Sequence, residues 1–114
     1  MKKILLVFIV VSAMCVTCKK EKENDLPNCL KTRIEQIKGQ KKWNPPAEIH
    51  EYVYNGKTVY LVSADCCDQY VTLIDSNCQY LCAPAGGIAG TGDGQCTDFY
   101  KTAKHVKLLW KDAR

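Results

Sequence analysis

The stretch "EIHEYVYNGKTVYLVSA", residues 48–64, decides how the chain is read. Two runs rich in Val, Ile and Tyr flank Asn55-Gly56, the pair best suited to a two-residue hairpin turn because both positions need positive φ. Tyr52, Tyr54 and Tyr60 are ordinary composition for a half-buried strand surface. A β-hairpin is therefore expected here. A second is expected downstream, where "YVTLID" and "CQYLCA" flank the turn "SN" and Asp75, Ser76 and Asn77 supply turn chemistry.

Working outward, Leu30, Ile34 and Ile37 recur at helical spacing. Asp25 or Asn28 is placed to cap that helix, Pro27 lies near its first turn, and Gly39 is a natural stop. Pro45 and Pro46 then impose an extended path, under which Trp43 is expected to pack. Beyond the second hairpin, "PAGGIAGTGDGQC" carries five of the seven glycines, between Gly86 and Gly94. The segment "TDFYKTAKH" suits a short helix, and "VKLLWKD" alternates through Val106, Leu108 and Trp110 as a last strand. The expected fold is α+β, an N-terminal helix packed on a meandering antiparallel sheet. No internal repeat is evident.

The N-terminus reads differently. Lys2 and Lys3 precede an apolar run, Ile4 to Val16, broken only by Ser12. This is the pattern of a secretory signal, and the run falls short of the about 20 apolar residues of a membrane-spanning helix. It stops at "MCVTCKKEKENDLP", where a cysteine and a polar tether resemble a bacterial lipoprotein signal. Cys18, at the boundary with Val16 and Thr17 before it, is the expected lipid site. Cys15 competes, but bulky Met14 precedes it. The Cys-x-x-Cys they spell lacks a strand-to-helix context, and cleavage would separate its halves. The expected organisation is a signal peptide over 1–17, a lipidated flexible tether over 18–26 and a small cysteine-rich domain over 27–114.

The whole chain has 16 Lys and Arg against 12 Asp and Glu. Loss of 1–17 removes two lysines and leaves a net charge of about +2. That balance, without a basic cluster, argues against a nucleic-acid partner. The domain holds Cys29, Cys66, Cys67, Cys78, Cys82 and Cys96. An even count in a small exported chain reads as three disulfides among fifteen connectivities. A domain this small buries only about 60–65% of its unfolded surface and needs such staples. Adjacent Cα atoms lie about 3.8 Å apart, below the usual disulfide range. Cys66 and Cys67 are therefore expected to bridge elsewhere, each pinning a different part of the chain.

Several chemistries fail on inspection. No Cys-x-x-Cys survives in the domain, so zinc would need His50 or His105. No metal or cofactor is expected. The Gly90–Gly94 run is followed by no Lys-Ser/Thr and belongs to no strand–loop–helix unit, so nucleotide binding is set aside. Asp93 and Asp98 miss the spacing of a helix–loop–helix calcium site. Asp65 and Asp68 flank the cysteine pair, and His50 has no nucleophile or ligand beside it in sequence. No catalytic residue is assigned and no enzyme is expected. Thr91 and Asp93, on the glycine loop between Cys82 and Cys96, are the candidate binding residues.

The residues that carry a family resemblance are Asp65-Cys-Cys-Asp68, Cys82-Ala-Pro84 with its glycine loop, and Gly92-Asp-Gly94 with Cys96 and Asp98-Phe99. Together with "WNPP" and the terminal "LLWKDAR", they resemble a Bacteroidota lipoprotein family known as a domain of unknown function, number 6970. The resemblance implies a cell-envelope location and supplies no activity. The expectation is a lipid-anchored envelope protein, in the outer membrane, acting as a binding or structural module with an envelope protein partner. The alternative is an inhibitor of an exported hydrolase. A small enzyme using His50 or an acidic pair is a weaker third reading.

Overall fold

A computed structural model describes residues 23–114. The expected signal peptide over 1–17, its competing cysteines Cys15 and Cys18, and most of the tether lie outside the described residues. After a short 3₁₀ turn at Glu23–Asp25 come α1 (Asn28–Lys38), β1 (Glu48–Tyr54), β2 (Lys57–Val62), β3 (Tyr70–Ile74), β4 (Tyr80–Gly86), α2 (Phe99–Thr102) and β5 (Lys104–Lys111). The fold is α+β, with one antiparallel sheet of order β4-β3-β2-β1-β5. The first four strands meander as expected. The fifth departs from the meander, because the chain crosses from β4 to the far side of β1.

The hairpin turn forms as its residues dictate. Asn55 and Gly56 have φ of 51° and 74°, and Tyr54 pairs with Lys57 across them. The second connection is longer than the expected two-residue turn. The Asp75 carboxylate accepts hydrogen bonds from the N–H groups of Asn77 and Gln79 at 2.8 and 2.9 Å, and Cys78 is left-handed at φ 60°. That looped geometry delays β4 until Tyr80 and turns Cys78 toward its disulfide partner Cys29 in α1.

β2 is the middle strand, and its alternate residues enter two different cores. Tyr60 and Val62 join Leu30, Ile34 and Ile37 of α1, with Trp43, Ile49 and Leu109. Val59 and Leu61 point the other way, to Leu73, Cys82, Cys96 and Phe99. The second core is roofed by the crossover alone, where fully buried Phe99 packs its ring against Tyr52 and Tyr54. Cys82–Cys96 ties this roof to β4. A bridge closing a loop of this size is worth about 3 kcal/mol in the chain-entropy account.

β5 exists as expected but shows a different face. Leu109 is buried, whereas Val106 and Leu108 are 47% and 46% exposed. Pairing with β1 slips twice, from Ile49↔Trp110 to His50↔Leu108 and from Glu51↔Lys107 to Tyr52↔His105. Each slip leaves an extra residue on β5, a bulge that resets the alternation.

The helix cap also differs from expectation. Pro27 occupies the N-cap position without a side-chain hydrogen bond, and Gly39 ends α1 in a right-handed conformation at φ −71°. The free carbonyls at its C-terminal end are met by Arg114. Its guanidinium donates to the carbonyl oxygens of Lys38 and Gln40 at 2.9 and 3.0 Å, while its other edge grips the Asp112 carboxylate at 2.7–3.1 Å. A cation there also complements the helix dipole. Asp112 is buried, and its own N–H donates to Ala47 O, which fixes the latch to the start of β1.

Hydrogen bonds from Arg114 pull the Asp112 pKa down from its ordinary 3.8 to about 2. A depressed carboxyl stabilises the fold fully above about pH 4, and that contribution disappears as pH falls through about 2. Urea unfolding of the wild type and of Asp112→Asn should therefore differ most at neutral pH, with the gap closing between about pH 4 and pH 2. A gap independent of pH would show that the latch does not hold the charged carboxylate.

Candidate functional site

One end of the sheet gathers the exit of β2, the start of β3 and the glycine loop after β4. Ser63 secures the β2 exit: its N–H donates to Glu48 O at 2.9 Å, and its Oγ accepts the Glu48 N–H at 2.8 Å. The chain then turns through Cys66 and Cys67, and both side chains are exposed.

These two cysteines are bonded to each other, with Cα atoms 3.7 Å apart. This corrects the expectation that each bridges elsewhere. That expectation assumed an extended segment, in which neighbouring side chains point to opposite faces. Here both residues are left-handed, at φ 51° and 62°, so the chain curls and brings the sulfurs to one side. The other four cysteines of the domain are taken up by Cys29–Cys78 and Cys82–Cys96.

The glycine loop docks against this turn. Gly87 N–H donates to Gln69 O at 3.2 Å, and the Tyr70 ring lies over Gly87. The loop then folds back on itself and on β4, through Gly92 N–H to Gly86 O and Asp93 N–H to Ala83 O, each 2.9 Å. Such close approach needs residues without side chains. A Cβ at Gly92 would stand 2.0 Å from Ala83 O, and Gly92 has φ 78°. The apex, Ile88-Ala89-Gly90, projects outward, with Ile88 93% exposed.

Thr91 and Asp93, the residues picked from sequence, play unequal parts. Thr91 is exposed and makes a bridge to Gly86. Asp93 turns its carboxylate back along the surface to β4 and its own loop, where it accepts from the Tyr80 hydroxyl and, at 3.0 Å, from the Gln95 N–H. The Tyr80 hydrogen bond is the main reason that the Asp93 carboxyl is held below its usual range, and it pushes the Tyr80 phenol up to about 12. Asp93 is thus a strut of the loop. Ile88, which sequence reasoning passed over, holds the outward position; its signal was a lone large apolar residue inside a glycine run.

Sequence also missed a cluster on β1 and β5. The His50 Nε2–H donates to Glu48 Oε2 at 2.8 Å, and His50 Nδ1 lies 2.9 Å from His105 Nε2. The hydrogen bond from His50 is the largest influence holding the Glu48 carboxyl below its ordinary value. Fifty-five residues separate the histidines, so only the placement of β5 beside β1 reveals the pair. Among the described residues, no group of three or more His, Cys, Asp or Glu is placed to hold a metal ion. A cleft of about 340 Å³ between α1 and the cysteine turn is lined by Arg33, Trp43, Asp65 and Tyr70.

The family described as "Domain of unknown function (DUF6970)" matches residues 35–112, from the last turn of α1 through all five strands. The chain belongs to the DUF6970 family. No curated protein and no solved structure matches it. The segment shared with DUF6970 contains the vicinal cysteines, Cys82–Cys96 and the whole glycine loop, while Cys29 and Arg114 fall outside it.

The docked loop can be tested by two substitutions. Gly92→Ala should cost about 2–3 kcal/mol, by adding overpacking against Ala83 O to the penalty of a left-handed residue. Gly90→Ala, at φ 72° with open space around it, should cost about 1 kcal/mol. Equal costs in denaturant unfolding would mean that the loop does not press on β4.

Proposed function

We propose that this DUF6970 protein is a cell-envelope lipoprotein of the Bacteroidota type. In this reading it is anchored in the outer membrane through Cys18 and presents its domain as a protein-binding module. The reading rests on the apolar run that gives way to Cys18-Lys-Lys-Glu, and on disulfides that suit an oxidising compartment. Among the described residues, no helix is long and apolar enough to cross a membrane. A lipid would supply attachment, at about 0.8 kcal/mol per buried CH₂ of acyl chain.

The observation that carries the binding role is Ile88, an almost fully exposed aliphatic side chain on a loop held to β4 by backbone hydrogen bonds and closed at its base by Cys82–Cys96. A fixed loop loses little entropy when it binds, so its contacts convert to affinity efficiently. Exposed Tyr70 beside the loop extends the apolar surface. The same features favour a second reading, inhibition of an exported hydrolase, in which a rigid projecting loop offers Ile88 to an apolar specificity pocket. No catalytic residue and no cofactor enter either reading.

Two experiments address this proposal. Cys18→Ala should leave the membrane fraction or accumulate unprocessed; normal acylation and fractionation would move the lipid to Cys15. Crosslinking in living cells followed by mass spectrometry should recover an envelope partner that Ile88→Ser loses at unchanged Tm. Retention of that partner by Ile88→Ser would end the loop reading. If the partner is a hydrolase whose activity falls on adding the protein, the inhibitor reading replaces the module.

A further inference from the structure

The three disulfides do not serve one purpose. Cys29–Cys78 and Cys82–Cys96 span 49 and 14 positions and join separate elements, so both restrict the unfolded chain. Cys66–Cys67 spans one position. The chain-entropy benefit of a bridge grows with the loop it closes, and here almost none is closed. Nor does the turn need the bridge to keep its ends in place. Ser63 is hydrogen-bonded to β1 on one side, and Gln69 accepts the Gly87 N–H on the other. The vicinal bond is therefore not accounted for as a staple.

Accessibility separates it further. Thiol–disulfide exchange requires a thiolate to reach one sulfur of the bond. Cys82 and Cys96 are buried within the second core, and Cys29 and Cys78 pack against the first. Cys66 and Cys67 are the exposed pair, on a turn that belongs to neither core. Asp65 and Asp68 flank them. A partner whose reactive thiolate sits in basic surroundings is favoured by that charge.

We propose that Cys66–Cys67 is a thiol–disulfide exchange site whose reaction partner is a dithiol. One thiolate of the partner attacks Sγ of either cysteine. The Sγ–Sγ bond breaks, a mixed disulfide forms, and the released sulfur takes up a proton. The partner's second thiolate then attacks its own sulfur in the mixed disulfide and frees the other cysteine, which is protonated in turn. Two electrons and two protons pass to the domain, and the partner leaves as a disulfide. The reverse sequence lets the reduced Cys66/Cys67 pair reduce a disulfide of the partner and return to its bridged form. The reaction does not depend on lipid attachment or on Ile88.

The test uses the full mature chain, purified without reductant, and dithiothreitol as the dithiol. Aliquots across a reductant series are alkylated, and the labelled peptides are mapped by mass spectrometry. Cys66 and Cys67 should become labelled at a reductant concentration at least about tenfold below that which opens either other bridge, with Tm unchanged. Phenylarsine oxide, a probe for closely spaced dithiols, should bind the partly reduced protein one to one and block that labelling. A Cys66→Ser/Cys67→Ser variant should keep its Tm and lose both responses. The proposal is overturned if the two thiols label before reductant is added, if another bridge opens first, or if opening the vicinal bond lowers Tm as much as opening a structural one.

Discussion

The domain is organised around a strand that is buried on both faces. β2 sends Tyr60 and Val62 toward α1 and sends Val59 and Leu61 toward Phe99. β3 also reaches both cores, through Ile74 and Leu73, but β2 gives two buried residues to each, and each core is thin. One is a single three-turn helix against the sheet; the other is a loop and one turn of helix. A layer that slight contributes limited apolar burial, and small domains commonly make up the difference with cross-links. Here the two long-range disulfides fall one to each layer. Cys29–Cys78 holds the helix, and Cys82–Cys96 holds the roof that carries Phe99.

What could be read from sequence followed the range of the interactions involved. Asn55-Gly56 specifies its turn through the backbone conformations of two adjacent residues, so the first hairpin was legible. Leu30, Ile34 and Ile37 specify a helical face by spacing alone. The inward face of β5 was not legible, because its two bulges arise from pairing with β1 and break the alternation on which a strand is recognised. Arg114 acts as a helix cap from 76 positions away, a distance at which no capping pattern operates.

The site was legible in outline only. The glycine run announced a loop with unusual backbone geometry, and five of its glycines do adopt positive φ. Which side chain it would display depended on Asp93 turning back to Tyr80, a contact across the strand that local composition does not encode. The vicinal cysteines were misread for a similar reason. Extended neighbours diverge, and nothing in "DCCD" declares that two non-glycine residues in succession will be left-handed.

The strand order has a consequence for solubility. A sheet left with two bare flanks offers unpaired backbone groups to any passing chain and invites runaway strand addition. Both flanks of this sheet are blunted. On β4, the glycine loop folds back so that the Asp93 N–H occupies Ala83 O, and Pro84 has no N–H to offer an incoming strand. On β5, two bulges spoil a regular ladder, and Lys104, Lys107 and Lys111 place charge along its length. Neither edge therefore offers an unbroken ladder to a second copy of the domain.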